Sequence, residues 1–217
     1  MTSRYRAVVF DLDGVLWDGE PLYHEAFNIV LRPIGHEVSA NDYEQIIGSS
    51  VEAAWAWVMR RFDLEGPTDR FHDAYDAAVL ELLAQPVEPL PGVNETIARL
   101  KSIPVPVGLA SASLRQWVDA TLSGIGLAGE FDATVSASEV ERAKPAPDMY
   151  LLAAEKLGVP AGECVAVEDT RTGVASARAA GMYVVQVRAA STALPPIAEA
   201  DAVIDSYAEF DFSLLGG

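Results

Sequence analysis

Ala7-Val8-Val9-Phe10-Asp11-Leu12-Asp13-Gly14-Val15-Leu16 is the stretch that decides how this chain folds. The apolar run Ala7–Phe10, rich in β-branched and aromatic side chains, suits a buried strand. It hands two carboxylates, one residue apart, to a turn containing Gly14. Like charges a few ångströms apart repel, and one carboxyl is pushed to hold its proton unless a cation intervenes. Such a pair is either a strand end whose turn an Asp caps, or a place of chemistry or metal binding. The remainder of the chain chooses between these.

Five more apolar, β-branched runs follow, at Val105–Ala110, Ala133–Val135, Val165–Val167, Val184–Val187 and Ala202–Ile204. Between them lie helical patterns, each with apolar residues three and four apart. Met149, Leu152, Ala153 and Leu157, closed by Gly158, form one; Val174, Ala177 and Ala180, closed by Gly181, form another. Strand alternating with helix predicts an α/β fold: a Rossmann-like core with a parallel sheet flanked by helices. In such sheets ligands bind at the carboxyl ends of the strands, near the switch in strand order. Polar residues just after each apolar run should therefore converge.

One stretch breaks the alternation. Residues 18 to 85 hold no convincing strand and read as helices over Glu20–Leu31, Ala40–Ile47, Val51–Arg61 and Thr68–Leu83. The last carries Phe71, Tyr75, Ala78, Val79, Leu82 and Leu83 on one stripe. Pro86, Pro89 and Pro91 punctuate the return. The expected organisation is a core domain from residues 1–16 and 88–217, interrupted by an inserted all-helical domain over 17–87.

Composition narrows the partners. The chain has 217 residues, half of them hydrophobic (50%), enough for a substantial core. Net charge is −17, from 32 acidic and 15 basic side chains, which argues against nucleic acid and against anionic membrane surfaces. A small phosphorylated ligand stays possible, since one divalent cation and a few donors override the global field locally. The one cysteine, Cys164, lies in an apolar run and reads as a small buried hydrophobe. The N-terminus has no long apolar segment, so neither signal peptide nor membrane span is expected, and the cytoplasm is the default location.

The strand ends supply the chemistry. Asp11 and Asp13 follow the first run. Ala110-Ser111-Ala112-Ser113 follows the second, where Ser111 and nearby backbone N–H groups can meet an anion and Ser113 suits a helix N-cap. Arg142-Ala143-Lys144-Pro145-Ala146-Pro147-Asp148 follows the third; proline disfavours helix at Lys144, which reads as a phosphate clamp or as a solvated surface lysine. Glu168-Asp169-Thr170-Arg171-Thr172-Gly173 follows the fourth. Two acidic pairs at neighbouring strand ends make an oxygen-rich site suited to Mg²⁺.

Asp-Leu-Asp-Gly-Val-Leu, Ala-Ser-Ala-Ser, Lys-Pro-Ala-Pro-Asp and Glu-Asp-Thr-x-x-Gly, in that order over residues 11 to 173, resemble the haloacid dehalogenase superfamily of phosphotransferases. The wording resembles the β-phosphoglucomutase-like and phosphoglycolate phosphatase-like subgroup, whose helical cap the insertion matches. The resemblance implies an Mg²⁺-dependent phosphatase of small phosphomonoesters acting through an aspartyl-phosphate. Asp11 would be the nucleophile and Asp13 the general acid and base. Ser111, Ala112 and Lys144 would bind the phosphoryl group; Asp11, Asp13, Asp169 and Glu168 would hold the metal. It further implies a monomer whose cap closes over substrate. Cap candidates for specificity are Trp17, Tyr23, His24, Ser49 and Ser50.

A sugar-phosphate mutase is the alternative. Aligned with the mutase, its cap His falls on Tyr23, with His24 one residue late, and its cap Arg falls on Val51. No Arg or Lys lies between Gly48 and Met59, and gripping a second phosphate demands a cation. Asp13 disfavours a true dehalogenase. A non-catalytic ligand-binding regulator would be expected to have lost a motif residue, and none is lost.

Overall fold

The computed structural model describes residues 5–191 and 195–216. Six strands, β1 (Ala7–Phe10), β2 (Val107–Ser111), β3 (Ala133–Ser136), β4 (Cys164–Glu168), β5 (Tyr183–Val187) and β6 (Ala202–Ile204), form one sheet in the order β3-β2-β1-β4-β5-β6. Every neighbouring pair is parallel, as the alternation predicts. The helices are α1 (Glu20–Leu31), α2 (Ala40–Tyr43), α3 (Val51–Phe62), α4 (Asp69–Leu83), α5 (Val93–Lys101), α6 (Arg115–Gly124), α7 (Asp148–Leu157) and α8 (Arg171–Ala179).

β1 is buried along its whole length, which is why its sequence shows no polar alternation. The chain runs outward from β1 through β2 to β3, then returns to β1's other edge as β4. The strand order therefore reverses between β1 and β4, and the crevice at their carboxyl ends is the switch point. Phe10 pairs with Val167 and with Leu109. The β1–β4 ladder runs one bond further, from the Asp11 N–H to the Val167 carbonyl (2.9 Å), which sets Asp11 beside the start of the second acidic pair.

Two of the expected boundaries move by two residues or more. β2 starts at Val107, not Val105, because Pro104 and Pro106 have no N–H to give a ladder; it ends on Ser111. The helix expected over Ala40–Ile47 stops at Tyr43. There the Tyr43 carbonyl accepts from both Ile46 and Ile47 (2.9 and 3.0 Å), and Gly48 follows at φ +72°.

The chain divides into two compact units, Met1–Asp18 with Pro86–Gly217, and Gly19–Gln85. Residues 1–4, 192–194 and 217 of the expected core domain lie outside the described residues. The smaller unit is built from α1 to α4 around packed rings: Phe27 meets Trp55 at 4.9 Å and Tyr75 at 4.4 Å, both tilted, and Trp55 stacks on Phe71 at 5.3 Å. Phe71, Tyr75, Ala78, Val79 and Leu83 of the expected stripe are buried, and Leu82 is partly so. Among the described residues no helix is long and apolar enough to cross a membrane.

Candidate active site

The carboxyl ends of β1 and β4 bring three carboxylates and one ammonium together. Lys144 Nζ donates to Asp11 Oδ1 at 2.5 Å and to Glu168 Oε1 at 2.6 Å. Its side chain is only 7% exposed, and that of Glu168 is 0% exposed. The loop carrying it is tied down from two sides. Arg142 makes a two-pronged ion pair with Asp148 (3.0 and 2.7 Å), and the Ala146 carbonyl accepts from Ser176 Oγ on α8 (2.6 Å). The Lys144–Pro145 bond is cis. Lys144 is thus a buried bridge, and the alternative of a solvated surface lysine falls away.

Glu168 is engaged at both oxygens. Oε1 also accepts from the Tyr150 hydroxyl (2.8 Å), while Oε2 accepts from the Asp169 N–H (3.1 Å) and from the Thr170 hydroxyl (3.3 Å). Thr170 caps α8 by accepting from the Gly173 N–H (3.1 Å). Gly173 has to be glycine: a Cβ there would stand 1.9 Å from Glu168 Cδ. Helix propensity alone favours Ala over Gly by about 1 kcal/mol, but overpacking a buried, hydrogen-bonded carboxylate costs about 3 kcal/mol. Gly173→Ala is therefore expected to lower the thermal midpoint, by roughly 4–8 °C for a net loss of about 2 kcal/mol. Calorimetry against the parent protein checks this, and an unchanged or raised midpoint contradicts the packing described.

Asp169 lies against Gly14, whose φ of +73° and missing side chain leave room; a Cβ there would sit 2.1 Å from Asp169 Oδ2. Asp169 Oδ1 is buried and has no hydrogen-bond partner among the described residues. Carboxylate oxygens of Asp11, Glu168 and Asp169 all lie within 4.8 Å of one another. Burial pushes the Asp11 carboxyl up to about 7, with Lys144 pulling it back and Glu168 adding repulsion. Burial and then repulsion from Asp11 and Glu168 push Asp169 up to about 8. Burial works against the Lys144 charge, yet Asp11 and Glu168 outweigh it and hold the ammonium above its ordinary range. One lysine does not neutralise three carboxylates. A hard divalent cation with oxygen ligands fits this surplus, and the orphaned Asp169 oxygen is the donor it would find waiting.

Asp13 sits in the turn after β1. Its Oδ2 accepts from Ser113 Oγ (2.9 Å) and its Oδ1 from the Trp17 indole N–H (3.2 Å). Ser113 was the expected helix cap; instead α6 starts after Leu114 without a side-chain cap, and the Ser113 hydroxyl is committed to Asp13. Ser111 is fully buried at the end of β2, and its Oγ accepts from the Ser113 N–H (3.1 Å). Ala112, between them, is exposed.

The specificity candidates fall in different places. Trp17 is buried in the larger unit, on Asp13. In the smaller unit, Tyr23 is half-buried on α1. His24 Nε2 pairs with the Val38 carbonyl (2.7 Å), and its ring stacks on Tyr43 (4.6 Å). Ser49 Oγ donates to the Ile46 carbonyl (2.6 Å), and Ser50 caps α3 by accepting from the Ala53 N–H (3.2 Å). Tyr150 and Thr170, which hold Glu168, were not singled out in the sequence: Thr170 carries the ordinary signature of a helix cap, and Tyr150 lies in an apolar helical pattern.

Known proteins resemble this chain, with its two aspartates after β1, buried lysine before α7 and acidic pair after β4. Fructose-1-phosphate phosphatase YqaB of Escherichia coli (strain K12) is 36% identical over 191 residues, covering 87% of this chain and 99% of that protein. The chloroplastic protein SUPPRESSOR OF QUENCHING 1 of Arabidopsis thaliana is 37% identical over 194 residues, 86% of this chain; the match spans only 18% of that longer protein. Among solved structures, CbbY from Rhodobacter sphaeroides in complex with phosphate superposes with a TM-score of 0.80 at 26% identity, covering 94% of this chain and 96% of that one. The family model for haloacid dehalogenase-like hydrolases matches residues 5–181, the span that holds all four strand-end motifs, and the chain belongs to that family.

Proposed function

We propose that this chain is an Mg²⁺-dependent phosphatase of small phosphomonoesters, of the sugar-phosphate or phosphoglycolate type, working through a phosphorylated Asp11. The observation that carries the reading is the cluster at the switch point, where Asp11, Glu168 and Asp169 lie together, one buried lysine pairs with the first two, and Asp169 Oδ1 has no partner among the described residues. Asp11, the Asp13 backbone carbonyl and Asp169 would hold the ion, with Glu168 beside them; bound there, it supplies the positive charge that lets a carboxylate approach a phosphate. The likeness to a fructose-1-phosphate phosphatase and to a CbbY structure with bound phosphate supports the same substrate class.

Each residue then has a task. The Asp11 carboxylate attacks phosphorus, and the ester P–O bond breaks. Asp13 gives its proton to the departing alkoxide, then takes one from the water that attacks the aspartyl-phosphate. Lys144 and the Ser111 hydroxyl, with the Ala112 N–H, receive the phosphoryl oxygens. The Ser113 N–H already occupies a lone pair of Ser111 Oγ, leaving the Ser111 O–H to donate. The helical unit acts as a cap selecting the rest of the substrate, with Trp17, Tyr23, His24, Ser49 and Ser50 as candidates. In it Arg32 is spent on Glu25 and Glu37, and Arg61 on Asp42. The lack of an Arg or Lys between Gly48 and Met59 favours phosphatase over mutase.

A panel of phosphorylated metabolites assayed for phosphate release with Mg²⁺ tests the reading. At least one small ester is expected to turn over. β-Glucose 1-phosphate with a catalytic bisphosphate is expected to yield free phosphate; glucose 6-phosphate instead would make the chain a mutase.

A further inference from the structure

Tyr150 is a fully buried residue of α7, and packing alone would ask only for its ring. Its hydroxyl does something a phenylalanine at that place could not. It donates to Glu168 Oε1 (2.8 Å), the same oxygen that accepts from Lys144 Nζ (2.6 Å). The Lys144 ammonium also lies 5.0 Å from the centre of the Tyr150 ring, within range of a cation–π attraction. Tyr150 thus touches both members of the Lys144–Glu168 pair, one through its hydroxyl and one through its face. Glu168 cannot turn away: its other oxygen is held by Asp169 and Thr170, and Gly173 is packed against its carboxyl group.

Lys144 bridges two carboxylates whose pulls oppose each other, Asp11 at 2.5 Å and Glu168 at 2.6 Å. A second donor on Glu168 Oε1 satisfies part of that oxygen's demand and weakens its hold on the ammonium. Without the hydroxyl, Glu168 draws Lys144 toward itself and away from Asp11. We infer that Tyr150 is a positioning residue which sets where the Lys144 ammonium stands between Glu168 and Asp11, and so how well Lys144 meets a phosphoryl group on Asp11. This rests on the phosphatase reading proposed above.

Tyr150→Phe keeps the ring and its volume and removes only the hydroxyl. With a phosphate ester that the wild-type protein hydrolyses, kcat is expected to fall roughly 10- to 100-fold, the range typical of partners that orient a reacting group. In a Lys144→Met background the same substitution is expected to change kcat by less than about twofold, since the residue it positions is gone. A merely structural tyrosine would instead multiply its full effect onto Lys144→Met, and that result overturns the inference. So does wild-type kcat in Tyr150→Phe, or failure of that variant to fold, which would make the hydroxyl a requirement of the fold. A wild-type protein that releases phosphate from no ester overturns the phosphatase reading itself, and this inference with it.

Discussion

Asp11→Asn is expected to lower the rate of phosphate release by about 10⁴-fold or more, the scale seen when a member of a covalent catalytic unit is removed. The amide has the shape of the carboxylate and can still accept from Lys144 through its oxygen. It cannot form the acyl phosphate. Stability is expected to hold or rise, because the substitution removes a buried charge that faces Glu168 and Asp169. The measurement is single-turnover phosphate release, with intact mass to exclude deamidation back to Asp and a thermal melt to confirm the fold. Sustained turnover by verified Asn protein would remove Asp11 from the nucleophile's role.

Stripping divalent ions is expected to abolish turnover and to make stability depend on pH in a defined window. In the ion-free fold the Asp11 and Asp169 carboxyls sit at about 7 and about 8, while in the unfolded chain an aspartate titrates near about 4. Between those values the folded protein keeps protons that the unfolded chain has released. Stability is then fully present below about pH 4 and is lost as pH rises through about 7 to 8. Mg²⁺ should restore it most where both carboxyls are ionised. At 100 times its dissociation constant an ion binding only the folded state adds about 2.7 kcal/mol, or roughly 5–10 °C in a domain of this size. Melts with and without Mg²⁺ at about pH 5 and about pH 8 separate the cases, because at the lower pH the ion must first displace protons. An equal Mg²⁺ shift at both values would contradict a site built on these two carboxyls.

How much of this was legible in the sequence follows from how local each signal is. β1 and β4 are short apolar runs whose exits carry the acidic pairs, so strand, turn and charge could be read together within a dozen residues. The start of β2 is harder to read, because Val105 looks like strand while the flanking prolines lack the N–H a ladder needs. The convergence of Asp11 with Lys144 spans 133 residues; the general rule for ligands at strand ends and the family resemblance point to it, and no local pattern does. The hydroxyls told least. Ser113 carries the mark of a helix cap but serves Asp13, and nothing in a buried tyrosine on an apolar face announces that its oxygen belongs to Glu168. A local pattern reports which face of an element is buried, not which distant group a polar atom will meet.

The return of the chain to the far edge of β1 has a kinetic corollary. Half of the charge cluster is laid down with β1, at the start of the chain, and the other half arrives only with β4. Closing that pairing brings like charges together at the end of a long loop, an unfavourable step that no local contact offsets early. The cluster is then absent from any nucleus formed by β1 and β2 alone. Changes to its charges should register chiefly in how fast the finished protein comes apart, and little in how fast it forms. The site would then act less as a guide to folding than as the latch whose ionic state sets the lifetime of the folded molecule.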